Sequence, residues 1–184
     1  FEGVHVGFVR TAIISEEHFQ FLLNDIDKIF KSTNEHARLC IKMSLILSRR
    51  LGLRPHELDL QISDVEIAGS GKVCIRRDLK SPSSHRSLNI EPFLMENEFK
   101  SFCSFVNTRK HQARQSKHQS LFTLDPRFGE SIDFQKLARI CSELFVGYQG
   151  EPTPLYQLRH SAISFLQVVL FGDDEFIELL TPYS

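Results

Sequence analysis

The sequence has no excess of charge of either sign: among its 184 residues, Lys and Arg number 22, Asp and Glu number 23, and the formal net charge is −1. This balance argues against a uniformly basic coat for nucleic acid, although it allows a basic face on one side of the molecule. No apolar run reaches the length of a transmembrane helix, so we expect no association with a membrane.

Closely spaced cysteine pairs are also missing, since none of the four cysteines belongs to a CxxC motif. The sequence therefore supports neither a zinc ribbon nor a thiol redox motif. We expect four buried thiols in a reducing compartment, no metal site and no cofactor. The cysteines are Cys40, Cys74, Cys103 and Cys141.

Apolar residues are plentiful, at 41% of the chain with 16 Phe among them, and they are sufficient for a sizeable core. The length is typical of one domain, which we expect to span residues 1–184. Because the chain begins with Phe1 rather than Met, we expect it to be a piece of a longer protein.

Helix signals are clear in the first third of the chain. Ser15 followed by two glutamates is typical of an N-cap with acidic residues in the first turn. A second helix is predicted over 34–51, ending at Gly52, and a short third helix from Pro55 to about Leu60.

Short β-type runs separated by turn residues follow, and helical periodicity then returns. The predicted fold class is therefore mainly α with a small three-stranded antiparallel β-sheet, an α+β arrangement. The predicted strands lie at 65–67, 73–77 and 87–90, and the later helices at 93–106, 131–146, 155–170 and 173–180.

Three separate stretches carry side chains that suit chemistry on a phosphate. A phosphodiester under attack gathers negative charge on its non-bridging oxygens, and a guanidinium is permanently charged, planar and able to bind two oxygens. Two arginines from separate helix termini can therefore clamp one phosphate. The stretches are "GLRPHEL" with Arg54 and Glu57, "LKSPSSHRSLNI" with Lys80 and Arg86, and "LYQLRHSAISFL" with Tyr156, Arg159 and His160.

Together these stretches resemble the catalytic domain of the tyrosine recombinases, the phage-integrase family. The first resembles that family's T-G-L-R-x-x-E-L box, and the second its hairpin lysine followed by an R-x-V-P-L strand. The third resembles H-x-L-R-H-x-x-A, with Tyr156 at the position of the first histidine. The likeness covers roughly Ile14 to Leu170, and its specificity comes from all three boxes in order with a sheet between the first and the last.

The resemblance implies catalytic roles for four residues. Arg54 and Arg159 would hold the phosphate, and Lys80 would protonate the leaving sugar oxygen as general acid. Tyr156 departs from the family pattern, because a phenol can donate a hydrogen bond to a phosphate but is a poor base near neutral pH.

The backbone before Pro55 fixes the direction of the Arg54 side chain, because a residue that precedes proline favours an extended conformation.

Two further residues, Glu57 and His160, would support the site. Glu57 lies at the right spacing to orient or shield the arginine cluster. We expect His160 to be mainly structural.

Basic residues near these boxes are candidates for contacts with DNA phosphates. Arg76, Arg77 and Arg86 flank the hairpin lysine, where such contacts would position the catalytic loop. Arg109 and Lys110 belong to the polar, basic stretch 107–120, for which a solvated loop is an equally good explanation.

Each candidate also has an ordinary structural explanation. Arg54 could cap the preceding helix, and Arg159 could form a buried salt bridge to Glu57. Lys80 could be a solvated loop lysine, and Tyr156 a core aromatic with a satisfied hydroxyl.

The nucleophilic tyrosine of the family has no counterpart in the printed sequence. By resemblance its position falls beyond Ser184, and Tyr183 lies near the position of the His or Trp that precedes it. No LGH motif is present. We expect that the chain ends before the nucleophile, and the alternative is a homologue that has lost it.

The function implied by the resemblance is that of a site-specific DNA recombinase or integrase, which cuts and rejoins DNA by transesterification through a 3′-phosphotyrosyl intermediate. Double-stranded DNA would be the partner, with self-association into a tetramer on DNA and an additional N-terminal DNA-clamping domain. The implied location is the cytoplasm, on the nucleoid. The alternative is a non-catalytic DNA-binding module with the same fold, and weaker ones are a helical protein-interaction domain and a type IB topoisomerase relative.

Overall fold

The computed structural model describes residues 14–76, 85–150 and 154–171. In these residues the chain forms five α-helices with a three-stranded antiparallel sheet, which confirms the predicted mainly helical fold class. The helix predicted at 173–180 lies outside the described residues, as do Arg77 and Lys80. The helices are α1 Glu16–Ile29, α2 Glu35–Leu51, α3 Glu96–Ser116, α4 Phe134–Gln149 and α5 Tyr156–Phe171.

The first two helices begin where their capping residues predict. The hydroxyl of Ser15 accepts the N–H of His18 at the start of α1, and the side chain of Asn34 accepts that of Ala37 in α2. At the other end of α2, Gly52 has a φ of 62°, in the left-handed region that glycine adopts without strain. The central helix therefore ends at a fixed residue, from which the next segment leaves in a fixed direction.

Helix α2 forms the centre of the core. Its residues 43–50 are buried without interruption, because α1 and α5 both pack against it. A helix enclosed on all faces needs apolar residues around its whole circumference, and any polar side chain there needs an internal partner.

The four cysteines are free thiols, but only Cys40 and Cys141 are buried, so the prediction of four buried thiols is wrong for the other two. Burial raises the pKa of Cys40 to about 11 and that of Cys141 to about 12. Both buried thiols are therefore neutral and serve as small apolar core residues.

The three-stranded sheet has the strand order β1-β2-β3, with antiparallel pairing throughout. Its strands are β1 Val65–Glu66, β2 Lys72–Ile75 and β3 Arg86–Asn89, each close to a predicted strand. In the register of the second pair, Ile75 is the partner of Arg86. The start of β3 therefore lies beside the end of β2, where segment 77–84 leaves and returns.

Helix α3 ends ten residues beyond the predicted helix, which ended at Val106, and it includes most of the stretch for which a solvated loop was one explanation. Its buried face consists of Phe102, Phe105, Val106, Arg109 and Ala113, a regular helical spacing. Arg109 occupies one position of this apolar stripe. The apolar pattern in the sequence is therefore interrupted at this residue, although the helix continues.

A second antiparallel pair, which the sequence analysis missed, is formed by β4 Thr123–Asp125 and β5 Glu130–Ser131. These strands are too short to show a recognisable alternation. The carboxylate of Asp133 then caps α4 by accepting the N–H groups of Gln135 and Lys136. None of the helices in the described residues has the length and apolar character that crossing a bilayer requires.

A buried ion triad joins α1, α2 and α3. The guanidinium of Arg50 donates to Glu16 at 2.6 and 2.7 Å and to Glu98 at 2.9 Å, and it lies 5.6 Å from the ring centroid of Phe19. Removing one member leaves a buried charge without compensation. The triad therefore holds α1 and α3 against the C-terminal end of α2, the helix that leads into the site described below.

We expect Glu98→Gln to lower the free energy of unfolding by roughly 3 kcal/mol, because it leaves the buried Arg50 guanidinium with an incomplete set of anions. The matched control is Glu96→Gln in the same helical turn, since Glu96 pairs with Lys100 at the surface and its loss should have little effect. Urea unfolding of the two variants makes the comparison. Equal destabilisation by both substitutions would contradict the structural role of the triad.

Candidate active site

The corner between α2 and the following 3₁₀ turn fixes the direction of Arg54. The backbone of Arg54 is extended, with φ −75° and ψ 154°, as its position before Pro55 predicts. The turn Pro55–Leu58 follows, and Glu57 Oε2 accepts the backbone N–H of Arg54 at 2.9 Å. Arg54 and Glu57 are thus held together by local geometry before any other element is added.

Glu57 lies at the centre of three guanidinium groups, with a side chain that is 0% exposed. Arg86 is nearest, donating to Oε1 at 2.9 Å and to Oε2 at 2.8 Å. Nη1 of Arg54 lies 3.4 Å from Oε1, and Nη1 of Arg159 lies 3.9 Å from Oε2. We call these four residues the Glu57 cluster. Three cations around one anion leave two positive charges uncompensated within it.

Arg159 reaches the cluster from the first turn of α5, and its Nη1 also donates to the carbonyl oxygen of Gly52. Gly52 is required here for its left-handed φ rather than for space, since an added Cβ would make only ordinary contacts with Cβ of Ala162 at 3.6 Å and Cγ of Arg159 at 3.7 Å. Two residues further on, the hydroxyl of Ser161 accepts the N–H of Ile14 at 2.9 Å. These contacts fix α5, and Arg159 with it, against the end of α2.

The electrostatic balance favours an ionised Glu57. Burial alone would raise the pKa of this carboxyl, but the hydrogen bonds from Arg86 and from the backbone of Arg54, with the charges of both arginines, lower it below the ordinary value of 4.5. At neutral pH the carboxylate is therefore negative and holds the surrounding guanidinium groups by attraction.

The arginines of the cluster are open to solvent, whereas the carboxylate is not. The side chains of Arg54, Arg86 and Arg159 are 36%, 29% and 20% exposed. An anion that approaches from solvent therefore meets guanidinium groups first, with net positive charge behind them. This arrangement is suited to binding a phosphate.

Tyr156 and His160 lie on α5 beside Arg159. Tyr156 is 40% exposed, which does not fit a core aromatic, and its ring makes an edge-to-face contact with His160 at a centroid distance of 4.7 Å. Tyr156 shares a helix face with Arg159, because the two are three residues apart. His160 is half-buried and packs against the tyrosine ring.

Arg109 is not available for DNA, and its prediction as a phosphate contact is corrected by its burial. Its exposed fraction is 0%, and its guanidinium donates to the carbonyl oxygens of Leu121 and Ser120 and to the amide of Gln112. This arginine ties α3 to the segment before β4. The sequence shows that Arg109 is basic but not that it is buried, because the polar stretch around it looks the same in a loop and at the end of a helix.

The remaining predicted DNA contacts are placed in different parts of the molecule. Arg76 is exposed just after β2, and Lys110 is half-buried on α3. Arg77 and Lys80 lie outside the described residues. Arg86 pairs with Glu57, a partner that the sequence analysis did not predict. The sequence feature that could have indicated this pairing is the position of Arg86 as the first residue of β3.

Solved recombinases share the fold of this chain. The XerH site-specific recombinase bound to difH substrate, in a pre-cleavage complex, matches with a TM-score of 0.56 at 18% identity, over 92% of this chain and 46% of that one. The post-cleavage complex of XerH with palindromic difH gives the same values. The XerA recombinase matches with a TM-score of 0.57 at 20% identity, over 90% of this chain and 52% of that one. No protein-family model and no curated protein sequence matches the chain.

The chain therefore has the fold of the tyrosine-recombinase catalytic domain, as the three sequence boxes predicted. It spans about half the length of the recombinases that it matches. At this identity the likeness concerns the fold, and the function has to be argued from the site.

The Glu57 cluster makes stability depend on pH in the acid range. Because the folded pKa of Glu57 is below the unfolded value of 4.5, its contribution is complete above that pH and is lost as the pH falls through the folded pKa. We expect Glu57→Gln to destabilise the chain more at about pH 7 than at about pH 3.5. Denaturant unfolding at both pH values measures this, and an equal effect at the two would contradict it.

Proposed function

We propose that this chain is the catalytic domain of a site-specific DNA recombinase, which cuts and rejoins DNA by transesterification. The observation that carries the proposal is the convergence of Arg54 and Arg159, remote in sequence, on one buried carboxylate while their own side chains stay partly exposed to solvent. The fold supports it, since XerH, solved with its difH substrate before and after cleavage, has the same architecture.

In the proposed reaction the scissile phosphate binds between Arg54 and Arg159. A tyrosine hydroxyl gives up its proton to solvent and attacks the phosphorus, a phosphotyrosyl bond forms at the 3′ side, and the bond to the 5′ oxygen breaks. The two guanidinium groups stabilise the charge that gathers on the non-bridging oxygens. They need no reorganisation for this, because the bonds to Glu57 and Gly52 already hold them in place.

Two further side chains complete the proposed site. Lys80, on the segment between β2 and β3, gives a proton to the leaving 5′ oxygen. Tyr156 donates a hydrogen bond from its hydroxyl to a phosphate oxygen. The liberated 5′-hydroxyl of another strand then attacks the phosphotyrosyl bond, so that bond energy is conserved and neither a nucleotide nor a metal is required.

The second candidate function is a DNA-binding module of the same fold that does not cut DNA. The observation that favours it is Tyr156, which stands where the family's catalytic box has a histidine, so one member of the catalytic set is replaced by a poor base. Such a module would use the Glu57 cluster to hold a phosphate without attacking it. DNA as the partner is common to both candidates, and covalent chemistry distinguishes them.

We expect Arg54→Ala and Arg159→Ala each to reduce formation of a covalent protein–DNA adduct by at least about 100-fold, because each removes a donor aimed at the transition-state charge. The assay incubates the full-length protein with a nicked suicide duplex and separates adducts on a denaturing gel. Arg127→Ala is the control, since Arg127 is exposed beyond β4 and pairs with Asp125. If neither cluster variant lowers adduct formation, the site is assigned wrongly.

DNA affinity should fall steeply as the salt concentration rises, because phosphate contacts release counterions. In a plot of log affinity against log salt concentration, Arg54→Ala should reduce the slope by about 1, the value of one phosphate contact. Filter binding of a duplex across a salt series gives this slope. The steep slope with no adduct in the full-length protein is the result expected of the non-catalytic module. A shallow slope that Arg54→Ala leaves unchanged would argue against DNA as the ligand of the cluster.

A further inference from the structure

We propose that Arg86 is a positioning residue of this site, which neutralises Glu57 so that Arg54 and Arg159 stay free for the DNA phosphate. The inference rests on the proposed function of the cluster. It gives Arg86 a different task from the DNA contact that its place in the hairpin suggested.

The distances divide the three arginines into two kinds. Arg86 forms a bidentate pair, with 2.9 and 2.8 Å from its two terminal nitrogens to the two carboxylate oxygens. The side-chain contacts of Arg54 and Arg159 to the same carboxylate are 3.4 and 3.9 Å, at or beyond the limit of a hydrogen bond. One guanidinium is therefore committed to both oxygens of Glu57, whereas the Arg54 side chain makes one long contact to the carboxylate and Arg159 donates instead to the carbonyl oxygen of Gly52.

Burial of the carboxylate explains why the committed partner is needed. The Glu57 side chain is 0% exposed, so water cannot compensate its charge if the strong pair is lost. The nearest remaining cations are Arg54 and Arg159. Without Arg86 they are expected to move inward and close onto Glu57, which turns the donors away from an incoming phosphate although both arginines are still present.

The position of Arg86 in the fold also links two parts of the proposed site. Arg86 is the first residue of β3, and its register partner Ile75 is 1% exposed, so the backbone at this point is held by both the ladder and the core. The pair with Glu57 ties this point of the sheet to the turn Pro55–Leu58. The first residue of β3 is thereby anchored beside Arg54 and Arg159.

The test is a charge-matched rescue. We expect Arg86→Met to lower affinity for a labelled DNA duplex by roughly tenfold, about as much as Arg54→Ala, because it withdraws the free guanidinium groups. Arg86→Met combined with Glu57→Gln should restore binding to near the wild-type level, because the carboxylate that attracts the two arginines is gone. Arg86→Lys should be intermediate, since an ammonium cannot bind both oxygens at once.

Folding is checked separately, by thermal melting, and binding is measured at a temperature at which each variant is folded. A purely structural role for Arg86 predicts lower stability with unchanged affinity in the folded Arg86→Met protein, and this result would overturn the proposal. Failure of Glu57→Gln to rescue binding would overturn it as well. Should Arg86→Met not fold, the Arg86→Lys and double variants still decide, because the proposal requires their affinities to rank in the order given.

A second readout does not depend on DNA. The side-chain N–H resonances of Arg54 and Arg159 should shift in Arg86→Met and exchange more slowly with water, and they should return towards wild type in the double variant. Unchanged resonances in Arg86→Met contradict the proposal about Arg86. If the wild-type protein binds no DNA but the expected resonance shifts are present in Arg86→Met, the proposed function is contradicted. The pairing of Arg86 with Glu57 is then still supported.

Discussion

A carboxylate removed from water needs cations around it, and the buried carboxylate of Glu57 organises the candidate site for this reason. It holds the corner after α2 by accepting the Arg54 backbone N–H, holds the sheet through Arg86 and draws Arg159 in from α5. Three parts of the chain that are remote in sequence thus meet at one charge. The attraction that assembles the cluster also leaves it net positive, which is the property that a phosphate site requires.

A small number of contacts at the C-terminal end of α2 position the Glu57 carboxylate in the fold. The left-handed Gly52 ends the central helix, and its carbonyl accepts from Arg159, so one glycine both terminates α2 and places α5. The Arg50 triad holds α1 and α3 against the same end of α2. A buried ion pair adds little net stability compared with an apolar contact of the same size, so the role of Arg50 is to fix the relative positions of α1, α2 and α3.

Much of this arrangement is legible in the sequence, because local signals decide it. Ser15, Asn34 and Gly52 mark helix ends, Pro55 fixes the backbone of Arg54, and the spacing of the three boxes predicts the fold. The pairing of Arg159 with Glu57 was one of the stated alternatives, but the sequence does not reveal the partners of Arg109 and Arg86. Arg109 occupies a position in an apolar stripe and Arg86 begins a strand, and basic residues of either kind look like surface charge until tertiary packing shows their partners.

The central claim is that Arg54 and Arg159 bind one and the same DNA phosphate. The most direct measurement is a structure of the chain in complex with a DNA duplex. The account predicts a backbone phosphate whose non-bridging oxygens lie within hydrogen-bond distance of both guanidinium groups, with Arg86 still paired to Glu57. A complex in which the DNA lies on another face, while the three arginines keep Glu57 as their sole partner, would contradict it.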